Sequence, residues 1–226
     1  MKDNPYALSE IMARVRRTGG QNRIIVRNSK VYASYTSGAM GALFALHALR
    51  KGDVLVQYTG PLLSKKAADE SSSQHLMTAY KQSRKGADTV VRTVIDGRGQ
   101  LAGFANYAPW RHANAFALDI LPTLLRMSTR QPSPTALVLV AKRDIPAGQE
   151  IRFDYDKGTR RSEFYEMMRA AGVGEGALTS SAYLGTTWIT PPHPPNHAGM
   201  VEEDFRIGSL HALGIDVDRV LREISR

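Results

Sequence analysis

Chemistry in this chain has to come from oxygen and nitrogen side chains, because its 226 residues include no cysteine. Thiol nucleophiles, disulfides and cysteine-ligated zinc are excluded. The histidines do not fill the gap. His112, beside Trp110 and Arg111, is a lone loop histidine, which rarely binds metal. His193 and His197 are four apart, but the prolines between them preclude a shared helical face. That leaves tyrosines and asparagines where strands end. Tyr155 closes AKRDIPAGQEIRFDY (Ala141 to Tyr155), in which Ile151, Phe153 and Tyr155 alternate. Tyr58 ends another strand, in Gln57-Tyr58-Thr59-Gly60-Pro61, and a tyrosine there is by itself read as core. Asn106 lies in LAGFANYAPWRHANAFAL, where an asparagine in a proline-containing loop is ordinarily a turn residue.

The elements that must position these residues come in two similar copies. The apolar run ALVLVA (Ala136 to Ala141) leads through Lys142-Arg143-Asp144 and a turn at Gly148 into the alternating stretch, which reads as strand, turn, strand. An earlier segment, ALHALRKGDVLVQYTG, echoes it. Ala45 matches Ala141, Leu49 matches Ile145 and Gly52 matches Gly148 on one common offset, and a tyrosine-bearing strand follows each.

This pair of segments resembles the SET domain of protein-lysine methyltransferases. The family carries a hairpin of the form L/V-F-A-x3-I/L-x2-G-D/E near its start, which Leu43 to Asp53 fits. Near its end it carries A-x-R-D-I-x-A-G-E/Q-E-L/I-x-F-D-Y, which Ala141 to Tyr155 fits closely. The resemblance spans roughly residues 35 to 160. It implies a mainly β fold with helices (α+β), a β-clip of small antiparallel sheets closed by a pseudoknot and flanked by helices. The domain division that follows is 1–34 for a basic N-terminal helix and lead-in strands, 35–160 for the SET-like catalytic domain, and 161–226 for a helical extension with a proline-rich strap. Lacking cysteine, the chain resembles the compact, zinc-free branch.

The same resemblance implies site residues. Tyr155 takes the place of the catalytic tyrosine, and Phe153 that of the residue tuning methylation number, where phenylalanine leaves room for di- or trimethylation. Tyr58, in a segment similar to the family's E-Y-x-G, is expected at the substrate-lysine channel. The family's Gly-x-Gly beside S-adenosyl-L-methionine aligns with Met40, Gly41 and Ala42, so the glycines are displaced unless Gly38 and Gly41 serve by a register shift. Phe104-Ala105-Asn106-Tyr107 stands for the family's F-I-N-H, with Asn106 supplying the cofactor-binding amide, Tyr107 the backbone contacts, and Asn114 matching a later asparagine. Tyr80 and Phe164 are further cofactor-side candidates, the latter with Tyr165 where an aromatic often meets adenine. The implied partner is a protein bearing a target lysine, histone tails being the usual substrate class.

The rest of the chain is read from pattern. Residues 4–17 predict an amphipathic helix ended by Gly19-Gly20, followed by strands RIIVR and VYASYT. Ser64 to Tyr80 predicts a helix with a serine N-cap, frayed or broken by the serine triplet. Strand signals cover Val90 to Asp96, and Leu118 to Met127 reads as buried strand or helix. Helical spacing covers Arg160 to Ala171, and a small helical tail spans 201–225 with Asp216 as its N-cap. Between them, Gly174 to His197 is a Gly/Ser/Thr/Pro-rich strap.

A hydrophobic fraction of 42% is ample for a core, and the net charge is +9. Seven basic residues against two acidic ones put +5 of it in the first thirty residues, a possible nucleic-acid contact. Only Tyr6 interleaves an aromatic there, so nucleic-acid binding ranks last among the readings. No apolar run approaches the roughly 18 residues of a membrane span and no signal-peptide core is evident, so an intracellular protein without membrane contact is expected. The alternative to an enzyme is a catalytically degenerate SET-like module that binds a protein or peptide, favoured by the altered Gly-x-Gly and the missing histidine and opposed by the intact Phe-Asp-Tyr.

Overall fold

The computed structural model describes residues 30–35, 41–73, 75–82, 90–119, 137–155, 163–174, 176, 209–213 and 216–224. The predicted N-terminal helix, the RIIVR strand, the basic N-terminal cluster up to Arg27 and the proline-rich strap beyond Gly176 lie outside them. The described residues form three small sheets with helices at the flanks, a mainly β fold of the expected α+β class.

Strands β1 (Val31–Tyr35) and β2 (Gly41–Ala45) form an antiparallel pair running from Val31 opposite Ala45 to Tyr35 opposite Gly41. Strand β3 (Val54–Gln57) is followed by β4 (Leu62–Leu63), helix α1 (Lys65–Asp69), β5 (Leu76–Gln82) and β6 (Val90–Asp96). Strands β4, β6 and β5 make a three-stranded antiparallel sheet. A 3-10 turn (Leu101–Phe104) leads to β7 (Asn106–Tyr107), then β8 (Ala115–Asp119), β9 (Leu137–Ala141) and β10 (Arg152–Phe153). The central sheet has the order β3-β9-β8-β10-β7. Helix α2 (Glu163–Ala170) follows, then a 3-10 turn (Leu210–Leu213) and helix α3 (Val217–Ile224).

The last strand of the central sheet sets its topology. β10 follows β7 and β8 in sequence yet lies between them, parallel to both. The loop joining β7 to β8 therefore has to cross the end of β10, and backbone bonds hold it there: Ala108 N–H donates to Phe153 O and Asn114 N–H to Arg152 O, both at 3.1 Å. This is the threaded crossing expected of a SET-like pseudoknot. The core lies between the sheets, with Leu43, Leu55, Ile95, Leu139, Ile145, Ile151 and Phe153 all buried.

Two expectations are corrected. The helix over Ser64 to Tyr80 stops after Asp69, and Leu76–Gln82 is strand, paired with β6 along its whole length. Ser64 does cap the helix, its hydroxyl accepting from Ala67 N–H at 3.2 Å. The serines beyond it bond locally instead: Ser71 Oγ accepts from Ser73 N–H, and Ser73 Oγ accepts from His75 N–H while donating to Asp96. Such bonds compete with helix continuation. Nor is either echoed segment a self-pairing hairpin. β2 pairs β1 and β3 pairs β9, while the turn of one copy pairs with the turn of the other through a bridge of Leu49 and Ile145. Close to expectation are β1, β6, α2 and the tail helix, where Arg219 N–H donates to Asp216 Oδ1 at 3.1 Å.

Candidate active site

Tyr155 lies two residues past the end of β10 rather than on it, and its ring is locked among aromatics. The centroid lies 4.9 Å from Phe153 at a 51° tilt and 5.4 Å from Tyr107 in a T-shaped contact, both favourable geometries. Its hydroxyl donates to Ala105 O at 3.0 Å. Burial raises its pKa well above the ordinary tyrosine range, with Arg152 opposing and Glu150 adding to the shift. The group is thus a neutral phenol whose proton is donated to a backbone carbonyl.

Tyr58 is buried just beyond the end of β3, and its hydroxyl donates to His75 O at 2.8 Å. Its pKa is also raised, chiefly by burial, then by Tyr155 and Asp96. The two phenols therefore sense each other electrostatically, and both stay protonated. Close main-chain packing holds Tyr58 in place. A Cβ on Gly97 would fall 2.5 Å from the Tyr58 ring, and one on Gly103 would fall 2.3 Å from Gly97 O.

The second half of the site gathers on β7 and β2. Asn106 Nδ2 donates to Glu150 Oε1 at 2.9 Å and, over a longer 3.4 Å, to Gly41 O. Tyr107 is buried behind it, with its carbonyl accepting from Arg152 Nη2. The Asn114 side chain works as a piece of strand: Nδ2 donates to Glu150 O at 2.8 Å and Oδ1 accepts from Arg152 N–H at 2.9 Å.

Of the residues singled out from sequence, the fold brings Phe153, Tyr155 and Tyr107 into ring contact, and Gly41 to Asn106. Ala42 is buried against Phe44. Met40 lies outside the described residues. Tyr80 stands in β5 opposite Arg92, in the three-stranded sheet and not in the sheet that carries Asn106 and Phe153. Phe164 lies in the first turn of α2.

Glu150, Arg152 and Asp154 carry no mark of burial in the sequence. Alternation with Ile151, Phe153 and Tyr155 assigns them to a solvent-facing side, yet they are only 6%, 7% and 2% exposed. A strand inserted between two others beneath a crossing loop is covered on both faces. The available signal was an acidic residue two places after the single glycine turn at Gly148, directly before Ile151.

The groups assembled around Asn106 and Tyr155 are the carbonyls of Gly41 and Ala105, the Glu150 carboxylate, the phenol and three aromatic rings, with the Arg152 guanidinium among them, its Nη2 donating to Tyr107 O. Among the described residues no helix is long and apolar enough to cross a membrane.

Residues 42–156 match the SET domain family, about half of the chain, and the protein belongs to that family. Histone-lysine N-methyltransferase set1 of Dictyostelium discoideum is 28% identical over 116 residues, which are 50% of this chain but 7% of that protein. Among solved structures, ATXR5 in complex with histone H3.1 has a TM-score of 0.42 at 16% identity, covering 56% of this chain and 57% of that one. The methyltransferase domain of human histone-lysine N-methyltransferase SETMAR has a TM-score of 0.42 at 18% identity, covering 56% and 44%.

Proposed function

We propose that the protein is an S-adenosyl-L-methionine-dependent protein-lysine N-methyltransferase. The observation that carries this reading is Tyr155: a buried, neutral phenol ringed by Phe153 and Tyr107, its proton held by the Ala105 carbonyl at 3.0 Å. S-adenosyl-L-methionine supplies a methyl group on a sulfonium. The protein's own share is to bind, align and desolvate.

A lysine amine attacks only when neutral, and its ordinary pKa is about 10.4. Walls made of Phe153, Tyr58 and Tyr155 disfavour the ammonium form. Because the Tyr155 proton is engaged by Ala105, its oxygen accepts an N–H of the incoming amine. That contact turns the nitrogen lone pair toward the methyl group, so catalysis is chiefly alignment. Gly41, Asn106 and the Tyr107 backbone would hold the cofactor, with Phe164 the candidate to meet its adenine. Phe153 offers no polar atom to retain a water beside the amine, which leaves space for a second and third methyl. The protein substrate is a lysine-bearing segment of the histone-tail type, a choice supported by the likeness to the histone-lysine N-methyltransferase of Dictyostelium.

The test couples calorimetric titration of S-adenosyl-L-methionine with mass spectrometry of histone-tail peptides incubated with the protein and cofactor. Micromolar cofactor binding and lysine methylation beyond one methyl are expected. In Tyr155→Phe, binding persists while turnover falls about a hundredfold, the scale of lost alignment. Cofactor binding with no methylation of any peptide or protein pool would favour the degenerate binding module. Product that stops at one methyl under excess cofactor would overturn the assignment of Phe153.

A further inference from the structure

We propose that Ser73 and Asp96 are positioning residues that act through the His75 backbone to fix the Tyr58 hydroxyl, and with it the seat of the substrate lysine. The proposal deepens the functional reading above and rests on it.

The Tyr58 phenol has one proton to donate, and its acceptor is a main-chain carbonyl, His75 O at 2.8 Å. A carbonyl oxygen has two lone pairs. Gly97 N–H takes the second at 2.9 Å, so the His75 oxygen is fully committed and its direction decides where the Tyr58 hydroxyl stands. His75 comes one residue before β5 begins, ahead of the strand ladder. Ser73 supplies the partner for its N–H. Ser73 Oγ accepts from His75 N–H at 3.2 Å and donates its own proton to Asp96 Oδ1 at 2.7 Å. One serine hydroxyl thus both donates and accepts along the line from Asp96 to Tyr58.

Asp96 is suited to anchor this line. Its Oδ1 also accepts from Arg98 N–H at 3.1 Å, while Arg98 Nη2 stands 3.6 Å from Oδ2. The arginine side chain is 57% exposed, so that ion pair contributes little. The short, charge-assisted bond from Ser73 is the stronger tie, and it is the first cause holding the Asp96 carboxyl below its usual range. The main chain closes the circuit. Asp96 N–H donates to Pro61 O at 3.0 Å, and a Cβ on Gly60 would fall 1.9 Å from Asp96 O. Gly60 and Pro61 belong to the segment that carries Tyr58, so the same aspartate holds that segment by its backbone and the phenol's acceptor by its side chain. The serine triplet beyond helix α1 therefore has a second task, at the lysine channel.

The experiment measures peptide methylation kinetics beside calorimetric titration of S-adenosyl-L-methionine. In Ser73→Ala, kcat falls about tenfold, the scale of a misplacement of a fraction of an ångström, while cofactor affinity is unchanged. Ser73→Thr keeps the hydroxyl and restores kcat. Ser72→Ala, at the exposed member of the triplet, stays at wild-type turnover. Asp96→Ala combined with Ser73→Ala costs no more than Asp96→Ala alone, as expected of residues in one line. Full turnover in Ser73→Ala, or a loss that Ser73→Thr does not recover, overturns the inference and leaves the functional reading intact. A wild type that methylates no peptide overturns both. An activity-free readout stands beside these: the carbon-13 NMR signal of Tyr58 Cζ, assigned by its loss in Tyr58→Phe. It moves in Ser73→Ala and returns in Ser73→Thr, and an unmoved signal overturns the inference whatever the kinetics show.

Discussion

Leu49 and Ile145 exchange both of their backbone hydrogen bonds, at 2.8 and 2.9 Å, and stand at the centre of a local two-fold relationship. Gly52 N–H donates to Ala141 O and, in mirror fashion, Gly148 N–H donates to Ala45 O, both at 2.8 Å. Ala45 N–H to Gln149 O at 2.9 Å is matched by Ala141 N–H to Asp53 O at 2.8 Å. Both glycines take left-handed conformations, φ 87° and 79°. The sequence echo is therefore an echo of shape, and each copy completes the backbone pairing of the other.

The two turns differ in what covers them, which yields a first prediction. Leu210 N–H donates to Gly52 O at 2.9 Å, and a Cβ on Gly52 would lie 2.8 Å from Val217 Cγ2 and 2.9 Å from His211 Nε2. Gly52→Ala carries a left-handed backbone cost of about 1–2 kcal/mol and also pushes the tail off. It is expected to lower the melting temperature and expose the 209–224 segment to limited proteolysis. Gly148→Ala carries a similar backbone cost without releasing the tail.

Gly97→Ala is expected to damage Tyr58 directly. The added Cβ falls 2.5 Å from Cε1 and 2.7 Å from the hydroxyl, so the ring has to move and its bond to His75 O is lost. Overpacking of this kind costs about 1–3 kcal/mol, and under the proposed function it lowers the methyl-transfer rate beyond what the stability change explains. Gly99→Ala is the control. It has φ 72° but nothing within 4 Å of the added carbon, so denaturant unfolding registers a backbone cost and turnover stays near wild type.

Asn114→Ala leaves Glu150 O and Arg152 N–H without their side-chain partner in the buried crossing. Two such bonds correspond to about 2–5 kcal/mol, read from urea unfolding. Asn114→Asp keeps the acceptor for Arg152 N–H but sets a carboxylate against Glu150 O, so it recovers less than half of the loss.

Stability against pH follows from buried groups of opposite kind. Lys30 Nζ donates to Val54 O at 2.6 Å inside the fold, and burial, partly offset by Asp53, pulls its pKa down to about 8. Lys142, half-buried over the Trp110 ring, is pulled to about 8 as well, by burial and then by Arg143. The unfolded chain binds these protons at higher pH than the native one, so stability rises as pH climbs from about 8 towards 10. Above about 10 the tyrosines reverse the trend, since unfolded tyrosine ionises there while native Tyr58 and Tyr155 stay protonated. Melting temperature is expected to peak near pH 10, and Lys30→Met to flatten the rise below the peak. A monotonic fall from pH 8 in the wild type would contradict this.

The residues themselves carried a good deal. Local periodicity is enough for β1, β6 and α2, because each depends on its own spacing, and Asp216 announces α3 because a capping oxygen acts within one turn. That Phe153 and Tyr155 lie side by side was legible through the alternation of the strand-turn-strand stretch. Tertiary structure alone decided that the two echoes pair with each other instead of folding back, since only long-range hydrogen bonds distinguish those outcomes. It also turned Leu76–Gln82 into strand, because β6 offered a full ladder where the serines had already ended the helix. And it buried Glu150, Arg152 and Asp154: alternation tells which side chains share a face, but a face is wet or dry according to what crosses over it, and here a loop from elsewhere in the chain crosses over β10.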